Sequence, residues 1–198
     1  MPVAELMDAS GVDASRQARA RGWVAFASAL LSVAAAASTR ATTPAELPAF
    51  THPQPASWLN SAPLEAAALR GHPVLVEVWT FECSNCLASL AWMHRVEERY
   101  RTAGLTIIGV HSPELPDERD PAQVAAAVRR LKIDYPVMLD ADFSYWQRLG
   151  NHYWPAFYLY DAGGRLVGTR IGELHAGEAP ADSFERLITA QLPPLSSR

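Results

Sequence analysis

The alternation of apolar and polar positions divides the chain into strand-length and helix-length segments. Val74 to Trp79 is a short apolar run rich in β-branched residues, which reads as a buried strand. It leads into Cys83 and Cys86, and from Leu87 to about Arg101 the apolar positions recur with a helical period. Leu105 to Val110 repeats the strand pattern. A helix between two such strands makes them parallel neighbours. Pro113 and Pro116 close this run, and Pro121 to Leu131 reads as a helix with Asp120 as N-cap and Pro121 at its first position. Val137 to Leu139 is a short strand, and Phe143 to Leu149 a helix that stops at Gly150. Ala156 to Tyr160 and Arg165 to Ile171 are strands joined by Asp161-Ala162-Gly163-Gly164, a hairpin signal. A helix from Ala181 to Leu192 ends at Pro193 and Pro194. Leu64 to Leu69 fits a short strand or a helical turn. Strands that alternate with helices and finish in a hairpin predict an α/β fold, a central mixed β-sheet flanked by helices.

The N-terminal part has a different pattern. A polar segment carrying Arg16, Arg19 and Arg21 precedes an uncharged stretch from Gly22 to Thr39, with Ala35-Ala36-Ala37 before Ser38. A basic region, an apolar region and small residues in that order are the anatomy of a secretory signal peptide, with cleavage expected near Ala37 or Ala41. The alternative is an uncleaved N-terminal membrane anchor, although the stretch is short against the roughly 20 apolar residues a span needs. Residues 42–57 hold Pro44, Pro48, Pro53 and Pro55 among small and polar residues, which is linker composition. The folded domain is therefore expected over 58–192, with 193–198 as a tail.

Composition narrows the function. At 198 residues, 49% hydrophobic and 19% charged, the chain suits one globular domain plus a tail. A net charge of −4 gives no electrostatic case for a nucleic-acid partner. There are only two cysteines, both in one motif. A disulfide framework holding a fold together would need more of them, spread along the chain, so the pair reads as redox-active.

Their placement on a strand-to-helix turn gives that reading its chemistry. Cysteines three apart in the first turn of a helix share a face and can close a disulfide without moving the backbone. The helix start presents unpaired N–H groups and the positive end of the dipole, which favour a thiolate. Cys83, at the outer end, is the better attacker and Cys86, one turn in, the better resolver. Ser84 and Asn85 lie between them. Trp79 and Phe81 are placed to wall the site, although aromatics at a strand end also serve a core. His94, His111 and His152 show no short ligand spacing to the cysteines, so no metal or other cofactor is expected beyond the cysteine pair itself.

The string Val74-Leu75-Val76-Glu77-Val78-Trp79-Thr80, followed by Cys83 and Asn85-Cys86, resembles the thioredoxin superfamily. Within it the chain is most similar to the extracytoplasmic TlpA-like branch and the thioredoxin-like domain of DipZ-type proteins. The similarity runs from about Trp58 to Glu173 and includes Trp58-Leu59-Asn60-Ser61, Ile107-Ile108-Gly109-Val110-His111-Ser112-Pro113-Glu114 and Asn151-His152-Tyr153-Trp154-Pro155-Ala156. The resemblance implies a thioredoxin-like fold with an extra helix inserted between the second and third core strands. It implies that Ser84 and Asn85 tune the reduction potential. It also implies a cis bond at Trp154-Pro155 opposite the cysteines, with the Trp154 backbone pairing with substrate. Glu77 matches the buried acid beneath the pair, which the superfamily has as Asp; strand alternation alone allows a solvated face, the usual fate of a strand glutamate. If buried, it would carry a raised pKa and exchange a proton with Cys86.

The function expected is a periplasmic or secreted thiol–disulfide oxidoreductase acting on protein thiols and disulfides, chiefly as a reductase, with a separate membrane electron donor. Two rivals belong to other classes: a thioredoxin-fold binding module without catalysis, and a copper or zinc carrier that uses the cysteines as ligands.

Overall fold

A computed structural model of the protein describes residues 45–193. The expected signal or anchor segment, 1–41, and the tail beyond 193 lie outside the described residues. No helix among the described residues is long and apolar enough to cross a membrane.

Six strands form one mixed sheet: β1 (Trp58–Leu59), β2 (Val74–Trp79), β3 (Thr106–His111), β4 (Val137–Leu139), β5 (Ala156–Tyr160) and β6 (Leu166–Ile171), in the order β1-β4-β3-β2-β5-β6. β2, β3 and β4 are parallel to one another. β5 is antiparallel to both β2 and β6, and β1 is antiparallel to β4. Four helices cover the sheet: α1 (Ser84–Tyr100), α2 (Pro121–Arg130), α3 (Ser144–Arg148) and α4 (Ala179–Gln191). α2 is the extra helix, inserted between β3 and β4, and it starts as the sequence predicts, with the Asp120 carboxylate accepting the Ala122 N–H at 2.9 Å. α4 begins two residues earlier than expected, because Pro180 is tolerated in a first helical turn. The Leu64–Leu69 stretch resolves into a 3-10 turn over Ala66–Leu69.

β2 is buried along its whole length, so its alternate residues feed two separate cores. Leu75 and Trp79 join one face with α1, α2 and α4, through Trp92, Val96, Val124, Phe184 and Ile188. Val74, Val76 and Val78 join the other, with Ile108, Val110, Tyr158 and Tyr160 and the α3 side chains Tyr145 and Leu149.

One boundary is corrected. Residues 45–57, expected to belong to a linker, lie against the sheet edge and the second core. The Leu47 N–H donates to the Gly164 carbonyl and the Leu166 N–H to the Ala45 carbonyl, both at 2.8 Å, and Glu46 bridges to Arg165. Phe50 packs edge-on to Trp58 and stacks on Tyr145, each at 5.3 Å between centroids. The prolines suggested a spacer, but the same prolines suit a strap without regular structure whose Leu47 and Phe50 reach the core. Phe50→Ala is expected to lower stability by about 1–2 kcal/mol in urea unfolding, the loss of a half-buried aromatic; a true linker position would give no change.

Candidate functional site

Cys83 is the N-cap of α1 and Cys86 sits in the first turn, the two joined by a disulfide with Cα atoms 5.2 Å apart. The Cys86 N–H points at Cys83 Sγ, 3.2 Å away. An orphan donor of the helix start is thus aimed at the outer sulfur, where it and the dipole favour negative charge. Both cysteines are largely covered, Cys83 at 8% exposure and Cys86 at 4%.

Glu77 lies on the same side of β2 as Leu75 and Trp79, the side that carries α1 and the cysteines. It is 3% exposed, and burial pushes its carboxyl up to about 7, offset in part by the Tyr135 hydroxyl, which donates to Oε2 at 2.7 Å. The solvated face that alternation allowed is not there, since both faces of β2 are covered, and Glu77 is buried. Gly109, its register partner on β3, makes room for this contact. A Cβ there would stand 3.0 Å from Trp79 Nε1, 3.2 Å from Tyr135 Cε2 and 3.3 Å from Val137 Cγ2.

The segment between β2 and Cys83 is fixed from below. Glu118, 1% exposed in the turn before α2, accepts the Thr80 hydroxyl and the N–H groups of Glu82 at 2.9 Å, Glu114 at 2.7 Å and Leu115 at 2.8 Å. Burial alone would raise this carboxyl, but those donors outweigh it and hold it below its ordinary value. His111 Nε2 lies 3.2 Å from the Thr80 oxygen. The single hydroxyl proton goes to Glu118, so Nε2 carries the imidazole proton and donates. Burial depresses His111 to about 4, which keeps it neutral. Phe81 stacks on the His111 ring at 5.6 Å and Trp79 meets it edge-on at 5.2 Å. Trp79 and Phe81 therefore belong to the core beneath the site as much as to its wall.

The Trp154-Pro155 peptide bond is cis. The Trp154 indole N–H donates to the Ser112 carbonyl at 2.9 Å, and its ring packs 4.3 Å from that of Trp146. Among the described residues no hydrogen bond engages the Trp154 backbone. Ser112 Oγ in turn donates to Asp140, which also accepts the Tyr145 and Trp146 N–H groups at the start of α3. Ser84 and Asn85 are exposed in the first turn of α1.

Reasoning from the chain alone missed Tyr135, Thr80, Glu118, Ser112 and Asp140. Glu118 lies in the polar run Asp117-Glu118-Arg119-Asp120, indistinguishable from a solvated turn, and Tyr135 lies in a loop. Neither carries a local signal for the site, since Glu118 meets Glu82 and Tyr135 meets Glu77 only across 36 and 58 positions.

The sequence matches the Redoxin family model over residues 42–186. It is 38% identical to the protein DipZ of Mycobacterium bovis over 119 residues, which cover 59% of this chain and 17% of DipZ. It is 26% identical to the thiol-disulfide oxidoreductase YkuV of Bacillus subtilis over 116 residues, 59% of this chain and 78% of YkuV. The structure superposes on a secreted disulfide oxidoreductase of Mycobacterium tuberculosis with a TM-score of 0.54 at 23% identity, covering 65% of this chain and 89% of the other. The fold is thioredoxin-like, and the chain spans under a fifth of the length of the DipZ protein it matches.

The raised Glu77 pKa fixes a pH dependence. The group binds its proton more tightly folded than unfolded, so its contribution is complete below pH about 4.5 and is lost as pH rises to about 7. The oxidised protein is expected to lose stability across that window, on the order of 2–4 kcal/mol from this group. Glu77→Gln should flatten that part of the profile and be the more stable protein at pH 8, as read by urea unfolding at several pH values.

Proposed function

The chain belongs to the Redoxin family, and from that premise we propose that it is an extracytoplasmic thiol–disulfide oxidoreductase, working chiefly as a reductase of protein disulfides. The observation that carries this reading is the Cys83–Cys86 disulfide at the start of α1, with a helix N–H directed at the outer sulfur.

In the reduced protein the Cys83 thiolate attacks one sulfur of a substrate disulfide. A mixed disulfide forms and the other substrate sulfur leaves as thiolate. Cys86 then attacks Cys83 Sγ, releases the second substrate thiol and closes the Cys83–Cys86 disulfide. The substrate gains two electrons and the protein loses two, so a donor must restore them. A membrane protein is the proposed donor. Glu77, poised near neutrality on the face that carries the cysteines, takes the proton that Cys86 must lose before it attacks. The unengaged Trp154 backbone beside cis-Pro155 offers an extended substrate segment a strand-like partner next to Cys83. Ser84 and Asn85, exposed between the sulfurs, are the positions proposed to tune the potential. The periplasmic or secreted location is supported by the N-terminal leader pattern and by the secreted Mycobacterium tuberculosis protein with the same fold.

A Cys86→Ala variant should accumulate mixed disulfides through Cys83, seen on non-reducing gels and identified by mass spectrometry, while Cys83→Ser should form none. If Cys86→Ala captured nothing under any redox poise, exchange would be ruled out. If reduced wild-type protein instead bound copper or zinc stoichiometrically, the metal-carrier reading would replace it.

A further inference from the structure

We infer that the Glu118 carboxylate, held against the Thr80–Glu82 segment, sets through its field how acidic the Cys83 thiol is and how oxidising the disulfide is. This rests on the exchange chemistry proposed above and goes beyond it, because Glu118 hydrogen-bonds to neither sulfur.

The geometry carries the argument. Glu118 accepts four hydrogen bonds, and two of them, from the Thr80 hydroxyl and the Glu82 N–H, come from the three residues that connect β2 to Cys83. The other two, from the Glu114 and Leu115 N–H groups, tie the same carboxylate to its own turn ahead of α2. The third residue of the connection, Phe81, is held by stacking on His111, whose Nε2 donates to Thr80. Every residue of the approach to Cys83 is therefore fixed by one carboxylate and one neutral imidazole.

A buried charge that accepts the N–H of the residue before the outer cysteine also acts through its field, which water and salt screen weakly there. The N–H of Cys86 and the start of α1 favour a thiolate on Cys83, and the Glu118 carboxylate opposes it. Glu77, neutral or charged according to pH, and the exposed Glu82 act in the same sense as Glu118, while the neutral His111 adds no charge. The Thr80 hydroxyl dipole points at Glu118 and offsets part of its field. The arrangement predicts opposite signs for two near-isosteric changes. Removing the charge lowers the Cys83 pKa, and removing the hydroxyl that offsets it raises the Cys83 pKa.

The test measures iodoacetamide alkylation of Cys83 against pH in a Cys86→Ala background, where one thiol remains, for Glu118→Gln and Thr80→Val. Glu118→Gln is expected to lower the apparent pKa by roughly half to one unit, and Thr80→Val to raise it by a smaller amount. With Cys86 present, Glu118→Gln should shift the glutathione equilibrium roughly three- to tenfold toward the reduced protein. A role confined to holding the loop would lower thermal stability in both variants and move their pKa values not at all or in the same direction; either result overturns the inference. If Glu118→Gln does not fold, Thr80→Val decides alone, an unchanged or lowered pKa overturning it. The two readings fail separately. A wild-type protein that exchanges with no disulfide defeats the proposed function, whereas one that exchanges normally beside variants of unchanged thiol pKa defeats this inference alone.

Discussion

The structure depends on β2 being covered on both faces. A strand with no solvated side must be satisfied edge to edge by its neighbours and face to face by helices. β3 and β5 supply the edges, and α1 and α3 lie among the elements that supply the faces. Such a strand is rigid, and it delivers the chain to one place at the start of α1. The position of Cys83 is thus a consequence of burial rather than of anything the cysteine does. The chemistry then needs little more than the helix start, whose unpaired N–H groups exist in any helix and here face a sulfur.

The same burial creates the site's polar cost and its use. Glu77, Glu118 and Asp140 are all carboxyls removed from water, and the structure treats them differently. Glu118 receives four donors and stays charged, whereas Glu77 receives one and is pushed toward neutrality. Asp140 takes N–H donors from the start of α3 and the Ser112 hydroxyl, and through Ser112 it is linked to the Trp154 indole beside Pro155. The donors on Glu118 hold it charged, while burial still raises Glu77 with its one donor and Asp140 with several.

This division places the two parts of the site on different supports. The cysteine side rests on Glu118 and His111, both reached from the end of β3 and the turn before α2. The Pro155 side rests on Ser112 and Asp140, which follow the ends of β3 and β4. β3 therefore underlies both, and the residues that follow it, His111-Ser112-Pro113-Glu114, bind the two halves to one strand end.

The sheet strands from β2 to β6, the four helices and the cysteine pair at the start of α1 were legible in the chain because their signals are local. Period-two and period-3.6 patterns, a proline after an N-cap and two cysteines three apart need no distant partner. The edge strand β1 and the strap ahead of it were not legible: two residues are too few for a periodicity, and proline-rich composition does not reveal that Leu47 and Phe50 reach a core. Whether Glu77 faces water or the interior was undecided by alternation on a strand that turned out buried on both sides. Its partner Tyr135 is 58 positions away, and Glu118 meets Glu82 across 36. Pairings of that span exist only once the sheet has brought its strand ends together, so the energies that set a proton affinity are a property of the folded chain, while the identity of the sulfurs is a property of the string of residues.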